Sequence, residues 1–126
     1  MSEPVVLLVE DNEKNLKLAK DVLEFAGFIV HVATTGEDAV IQAKTSTPDL
    51  ILMDLQLPGI DGHAALSQLR GDPGTSEIPV VALTAFAMTA DREKALSAGF
   101  DGYLEKPISV RSFPDQVRAH LRPEDR

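Results

Sequence analysis

The sequence predicts an α/β fold in three layers, with a five-stranded parallel β-sheet covered by helices on both faces. One observation is the order of the segments: a short apolar stretch is followed by a longer stretch with helical spacing, five times along the chain. Such alternation is typical of parallel sheets with right-handed crossovers. A second observation is that three of the apolar stretches are nearly continuous, as expected for strands that are buried on both faces.

The predicted strands are short and rich in apolar or β-branched residues. They run from Val5 to Val9, Phe28 to Val32, Leu50 to Met53, Pro79 to Leu83 and Gly102 to Glu105. The first four are too short to be free-standing helices. The fifth is predicted to be a strand because it continues the alternating order of strands and helices.

The predicted helices lie between and after these strands. The first is the clearest, because apolar residues recur at helical spacing before a closing glycine; they are Leu16, Ala19, Val22, Leu23 and Ala26, followed by Gly27. The others are predicted from Gly36 to Lys44, from Asp61 to Leu69, from Thr89 to Ala98, and in a segment that ends near Leu121. Pro114 would break a helix that began at Val110, so the last helix is predicted to begin near Ser112, with Pro114 in its first turn.

Composition narrows the class of protein. The 126 residues, 44% of them hydrophobic, fit a single domain over 1–126, with a core from 5 to 121 and a short polar tail from 122 to 126. The net charge of −8 disfavours direct binding to nucleic acids and anionic membranes. The lack of cysteine excludes disulfides, thiolate metal sites and cysteine nucleophiles. With no signal-peptide pattern and no apolar run near the ~20 residues of a membrane span, we expect a cytoplasmic protein.

Polar residues follow four of the five strands. They are Glu10 and Asp11 after the first, Asp54 after the third, Thr84 after the fourth, and Lys106 with Pro107 after the fifth. In an open α/β sheet, ligands bind at the carboxyl ends of the strands. If the first and third strands are neighbours, three carboxylates crowd together and require a cation. Oxygen ligands of this kind suit Mg²⁺.

On these residues the sequence resembles the receiver domains of two-component response regulators, from Val5 to Leu121. The runs Thr84-Ala85-Phe86-Ala87-Met88 and Lys106-Pro107-Ile108-Ser109-Val110 are most similar to the stand-alone, single-domain cell-cycle regulators of the DivK type. The resemblance implies a flavodoxin-like (βα)5 fold with strand order 2-1-3-4-5. It also implies a phosphoacceptor that assists its own phosphorylation and dephosphorylation, rather than an enzyme acting on a separate substrate.

The resemblance assigns a role to each strand-end residue. Asp54 is the phosphoacceptor, and Asp11, Asp54 and the backbone carbonyl of Gln56 are ligands of Mg²⁺, for which Mn²⁺ can substitute. Glu10 acts on the metal through water. Thr84 and Lys106 bind the phosphoryl oxygens.

Three further expectations come from the resemblance. Phosphorylation pulls Thr84 and Lys106 toward the phosphoryl group, and Tyr103 then turns inward and reshapes the face formed by the fourth helix, fifth strand and fifth helix. Lys106 and Pro107 are joined by a cis peptide bond. Our hypothesis for the phosphate lifetime is that Phe86, together with Gln56, slows hydrolysis of the acyl phosphate.

The expected partners are a histidine kinase or a histidine phosphotransfer protein as phosphodonor, and a downstream protein effector. The donor is expected near the first helix and the strand-end loops, and the target on the Tyr103 face. The chain is expected to be a monomer or weak dimer. Met1 and the short tail favour a stand-alone protein over a receiver domain taken from a hybrid histidine kinase.

Other interpretations of the same residues compete with this one. Glu10 and Asp11 could simply cap the first helix. A haloacid-dehalogenase-like phosphatase would need a second acid at position 56, which is Gln56 here, and a flavin module would not place Asp11 and Glu13 in its phosphate loop. A docking module that is never phosphorylated remains an alternative, although the complete acidic set argues against it.

Overall fold

A computed structural model describes residues 3–55, 62–84, 89–106 and 108–125, with the side chains of 89–91 excepted. The elements follow the alternating order predicted from the sequence. They are β1 (Val5–Val9), α1 (Glu13–Phe25), β2 (Ile29–Ala33), α2 (Gly36–Ser46), β3 (Leu50–Asp54), α3 (Gly62–Arg70), β4 (Val80–Thr84), α4 (Thr89–Ser97), β5 (Gly102–Glu105) and α5 (Phe113–His120), followed by a short 3-10 turn (Pro123–Asp125).

The five strands form one parallel sheet in the order β2-β1-β3-β4-β5, which confirms the predicted fold class and strand order. In the register, Val9 lies opposite Ala33 in β2 and Met53 in β3. The last residues of β3 and β4, Asp54 and Thr84, therefore lie along the same carboxyl edge as the end of β1. This edge carries the polar residues that the sequence singled out.

Each face of the sheet has its own apolar core, because successive side chains of a strand point to opposite faces. Leu7 and Val9 of β1 pack with α2, α3 and α4, which we call the α2–α3–α4 core. Val6 and Leu8 of the same strand pack with α1 and α5, which we call the α1–α5 core. Fully burying a side chain of this size contributes about 1.5–3 kcal/mol, and two such layers explain the nearly continuous apolar strands.

β2 lies one residue later than predicted: it runs from Ile29 to Ala33, and Phe28 lies in the turn that follows α1. Gly27 adopts a φ of 99°, in the left-handed region that glycine enters without steric cost. The N–H of Phe28 then donates to the carbonyl of Leu23 at 3.0 Å, and the N–H of Gly27 donates to Glu24 at 3.1 Å. This pair of hydrogen bonds is a Schellman motif, which satisfies the last carbonyls of the helix. Because the N–H of Phe28 takes part in this motif, Phe28 is not the first residue of β2.

The last helix begins where Pro114 allows it to begin. Ser112 is the N-cap, Phe113 is the first helical residue and Pro114 the second. A proline in the first turn costs no helical hydrogen bond, because the N–H groups there have no partner inside the helix. The predicted placement of Pro114 in the first turn is therefore confirmed.

The predicted polar tail contains a short ordered element. The 3-10 turn Pro123–Asp125 closes on Arg122, whose Nε donates to Asp125 Oδ2 at 3.2 Å. Among the described ranges, no helix has the length and apolar character needed to cross a lipid bilayer.

Candidate acidic site at the carboxyl edge of the sheet

Three carboxylates meet at the carboxyl edge of the sheet. One carboxylate oxygen each from Glu10, Asp11 and Asp54 lies within 4.8 Å of the others. Glu10 and Asp54 are buried, with relative exposures of 2% and 4%, whereas Asp11 is exposed. The neighbouring positions of β1 and β3 bring the three groups together, as the sequence predicted from the ends of these strands.

Lys106 places one ammonium group between the two buried acids. Its Nζ lies 2.5 Å from Glu10 Oε1 and 2.7 Å from Asp54 Oδ2. The backbone directs it there, because the N–H of Lys106 donates to the carbonyl of Thr84 at 2.8 Å and so extends the pairing of β5 with β4 by one residue. A single positive charge thus faces two buried carboxylates, with a third beside them.

Burial is the largest influence on the ionisation of Glu10. Loss of solvent raises the pKa of Glu10 above 4.5, and the adjacent Asp54 raises it further. The Lys106 ammonium and a hydrogen bond from the backbone N–H of Asn12 oppose this rise without cancelling it. The raised pKa of Glu10 therefore reflects mainly its burial, and the neighbouring Asp54 carboxylate adds to the effect.

The pKa of Lys106 is also raised, which for an ammonium group favours the charged form. Burial alone would lower the pKa of its ammonium, but hydrogen bonds and charge attraction from Asp54 and Glu10 outweigh burial, and the pKa is raised above 10.5. Lys106 is therefore a permanent cation at neutral pH. In the structure this charge is shared between Glu10 and Asp54.

Asn12, rather than either acid, caps α1. Its Oδ1 accepts hydrogen bonds from the N–H groups of Lys14 and Asn15, both at 3.1 Å. Glu10 Oε2 instead accepts from the N–H groups of Asp11 and Asn12, within the loop that leads to the helix. Asn12 was not among the predicted residues, although an asparagine just before a helical segment is a recognised capping signal. Capping therefore does not account for the two acids.

A cleft of about 760 Å³ opens above the cluster. Its lining includes the three carboxylates, Lys106 and the first turn of α1 from Asn12 to Asn15. Clustered carboxylate oxygens in a polar, open cleft are the donor set that a hard divalent cation such as Mg²⁺ prefers. The residues present therefore fit a magnesium ion.

Thr84 and Tyr103 occupy the neighbouring strands. Thr84 ends β4, is buried at 2% exposure, and lies on the edge shared with Asp54 and Lys106. Tyr103 is half-buried on β5, packs against the α2–α3–α4 core, and lies beneath the guanidinium of Arg92, whose Cζ is 5.4 Å from the ring centroid. Arg92 could not be predicted from the sequence, because no local pattern relates a helical arginine to a tyrosine on the next strand.

Three of the predicted functional residues lie outside the described part of the chain. They are Gln56, expected as a carbonyl ligand and rate-tuning residue, Phe86, expected to slow hydrolysis, and Pro107, expected to follow a cis bond. The roles expected for these residues stay predictions.

The fold and the acidic edge together are those of a receiver-type signalling module. The family model for the response regulator receiver domain matches residues 6–118, and the chain belongs to this family. It therefore has a role in two-component signalling, as the sequence predicted.

Relatives support this assignment over nearly the whole length. The chain is 41% identical over 116 residues to the polar-differentiation response regulator DivK of Brucella ovis, covering 92% of this chain and 94% of that protein. A protein described as a response regulator from Chloroflexus aurantiacus superposes with a TM-score of 0.89 at 31% identity, covering 95% of this chain and 98% of the other.

A third relative bears on the metal. The receiver domain of a sensor histidine kinase from Pseudomonas aeruginosa superposes with a TM-score of 0.86 at 34% identity, covering 94% of this chain and 98% of the other. Its crystal structure has a magnesium ion coordinated in the active-site cleft. Receiver domains bind Mg²⁺ in an acidic pocket, and the cluster of Glu10, Asp11 and Asp54 is such a pocket.

Proposed function

We propose that this chain accepts a phosphoryl group on Asp54 from a phosphohistidine donor, in a Mg²⁺-dependent reaction, and thereby changes its protein contacts on the face formed by α4, β5 and α5. The observation that carries the proposal is the convergence of Asp54, two further carboxylates and the Lys106 ammonium at one edge of the sheet. A structural ion pair would need one carboxylate for one ammonium, and this cluster has three.

Asp54 is the nucleophile in the proposed transfer. One of its carboxylate oxygens forms a bond to phosphorus while the P–N bond to the donor histidine breaks, and the electron pair of that bond stays on the imidazole nitrogen. Lys106 is already 2.7 Å from Asp54, so its ammonium can neutralise the phosphoryl oxygens as they arrive. The hydroxyl of Thr84 adds a hydrogen-bond donor from the adjacent strand end.

Asp11, Asp54 and the carbonyl of Gln56 would hold the metal, and Glu10 would act on it through water. A bound Mg²⁺, or Mn²⁺ in its place, supplies the positive charge that the three carboxylates and the phosphoryl oxygens require. The cluster of carboxylate oxygens within 4.8 Å supports this assignment.

Phosphorylation is proposed to act through Thr84 and Tyr103. An acyl phosphate adds about −1.5 to −2 charges at the end of β3 and attracts donors from β4 and β5. Movement of Thr84 opens space that the Tyr103 ring then fills, which alters the α4–β5–α5 face. Phe86 and Gln56 are proposed to set the lifetime of the phosphate by limiting water access.

The proposed partners are a histidine kinase or a histidine phosphotransfer protein as donor, and a protein effector. An apolar groove of about 380 Å³ between α1 and the start of α5 supports a donor surface on the first helix. Phe25 in this groove is 95% exposed, and Val110 is 59% exposed. Exposed apolar side chains grouped in this way are typical of protein interaction surfaces.

The chain is proposed to be one receiver domain over 1–126, a monomer or weak dimer, that is phosphorylated and dephosphorylated without turning over a separate substrate. A second candidate is a receiver that works as part of a histidine kinase. This second candidate is supported by the 34% identical Pseudomonas relative, which is the receiver domain of a sensor histidine kinase.

The test is incorporation of phosphate from acetyl phosphate, with and without Mg²⁺, in the wild type, in Asp54→Asn and in Asp115→Asn. Asp115 is an exposed carboxylate on α5 and serves as the matched control. We expect labelling in the wild type and the control only when Mg²⁺ is present, and none in Asp54→Asn. If acetyl phosphate and a phosphohistidine donor both fail to label the wild type, the chain is a docking module instead.

A further inference from the structure

Arg92 covers the outer side of Tyr103. The guanidinium Cζ lies 5.4 Å from the centroid of the Tyr103 ring, within the range of a cation–π contact. The same guanidinium also lies 3.6 Å from Glu105 Oε1. Tyr103 and Glu105 are two residues apart on β5 and so project from the same face of the strand. A single side chain of α4 therefore bridges two side chains of β5.

We propose that Arg92 is a positioning residue that holds the Tyr103 ring against α4 in the unphosphorylated protein. The inference rests on the proposed switch role of Tyr103. Contacts present in only one of two conformations shift the equilibrium toward that conformation, by an amount equal to their free energy. Arg92 thus opposes the movement of Tyr103 and sets how readily phosphorylation drives it.

The surroundings of the ring allow such a movement. A polar cleft of about 290 Å³ borders Tyr103 and continues along Ser109, Ser112 and Gln116 toward α5. The inner side of the ring packs against the α2–α3–α4 core. The ring therefore borders a packed core, an open cleft and the side chain of Arg92, which is long, flexible and half-exposed.

The composition of the chain provides a direct reporter. Tyr103 is the only tyrosine and there is no tryptophan, so the intrinsic fluorescence of the full chain comes from this one ring. Acrylamide quenching measures how accessible the ring is without phosphorylation. The change in fluorescence on addition of acetyl phosphate and Mg²⁺ measures its movement.

The experiment compares the wild type with Arg92→Ala, Arg92→Lys and Lys94→Ala. Lys94 is an exposed cation on the same helix whose side chain touches neither Tyr103 nor Glu105 in the described part of the chain, so its removal controls for the change in charge. We expect Arg92→Ala to raise acrylamide quenching and to shift the switching equilibrium by roughly two- to five-fold, the size of an exposed cation–π contact. Arg92→Lys should restore part of the effect, and Lys94→Ala should behave as the wild type.

The outcomes separate this inference from the proposed function. If Asp54 is labelled and the wild-type fluorescence changes, but Arg92→Ala matches the wild type in both measurements, the role of Arg92 is refuted and the phosphoacceptor role stands. If Asp54 is labelled and the wild-type fluorescence does not change, Tyr103 does not switch and Arg92 cannot regulate it. If Asp54 is not labelled, the proposed function is refuted. If acrylamide quenching in Arg92→Ala also equals that of the wild type, Arg92 does not cover the Tyr103 ring in solution, and the present inference is refuted as well.

Discussion

Two clusters at opposite ends of the sheet each surround one cation with acceptors. At the carboxyl edge, the Lys106 cluster consists of Lys106 with Glu10, Asp11 and Asp54. At the amino edge, the Arg70 cluster consists of Arg70, Asp101 and nearby carbonyls. Arg70 Nη2 lies 2.6 Å from Asp101 Oδ2, and Nη1 donates to the carbonyls of Ile78 at 2.7 Å and Ser76 at 3.1 Å.

The difference between the clusters lies in their charge balance. In the Arg70 cluster, one carboxylate matches one guanidinium, neutral carbonyls satisfy other N–H groups, and Asp101 Oδ2 also accepts from the N–H of Val80 at 2.8 Å. This cluster closes on itself and ties α3 to the loops before β4 and β5. In the Lys106 cluster, one ammonium faces more carboxylates than it can neutralise. Surplus charge of one sign in a cleft creates the requirement for a ligand, whereas a balanced cluster serves stability.

The largest expected effect comes from removing the cation of the unbalanced cluster. Lys106→Ala leaves two buried carboxylates without their shared ammonium, and we expect the free energy of unfolding without Mg²⁺ to fall by about 3 kcal/mol. Labelling by acetyl phosphate should fall by about 100-fold, as for the loss of one group that stabilises developing charge. Urea denaturation and phosphate incorporation measure the two effects.

Mg²⁺ sharpens this prediction. Because the ion supplies positive charge to the same carboxylates, it should raise the free energy of unfolding of Lys106→Ala by more than that of the wild type. Lys94→Ala serves as the control for the loss of a positive charge. Equal responses to Mg²⁺ in Lys106→Ala and the wild type would contradict the charge argument.

A smaller effect, of a different kind, is expected in the balanced cluster. Arg70→Ala removes one ion pair and several hydrogen bonds to carbonyls, and should lower the free energy of unfolding by about 2 kcal/mol. Labelling of Asp54, measured per folded molecule, should not change. Arg70→Lys keeps the charge but lacks the planar group that spans the carbonyls, so its stability should be intermediate. Loss of labelling without loss of stability would break the distinction between the clusters.

The smallest expected effect tests how closely the backbone supports the site. A Cβ on Gly62, the first residue of α3, would lie 3.0 Å from the carbonyl oxygen of Asp54 and 3.2 Å from the Cα of Leu55. Because these are backbone atoms, they cannot turn aside as a flexible side chain could. Gly62→Ala should therefore lower the free energy of unfolding by about 1 kcal/mol and slow labelling a few-fold by displacing Asp54.

Gly71→Ala is the matched control for this change. A Cβ there would be 3.4 Å from its nearest neighbour, the carbonyl oxygen of Ser67, which is close to ordinary contact. The same substitution nine positions later in the chain should leave labelling unchanged. If both variants label at the wild-type rate, α3 does not constrain the position of Asp54.

Two kinds of contact account for the features that sequence patterns did not predict. The one-residue shift of β2 is local in origin, because the N–H of Phe28 donates to the carbonyl of Leu23 and places Phe28 in the turn after α1. The Arg70 cluster joins Arg70 to Asp101, 31 residues further along the chain. Such pairs leave no periodic signal, since the partners meet only after the strands have paired.

The sequence by itself determined the alternation of strands and helices, the two-sided burial of the sheet and the identity of the strand-end acids. These depend on local periodicity, on turn residues such as Gly27, and on which residue follows each strand. The tertiary structure decided which groups meet: Lys106 reaches Asp54 across 52 residues, and Arg92 reaches Tyr103 from the neighbouring helix. The physical reason is that charge balance and side-chain contact are properties of positions in space, and only the pairing of β1, β3, β4 and β5 brings these positions together.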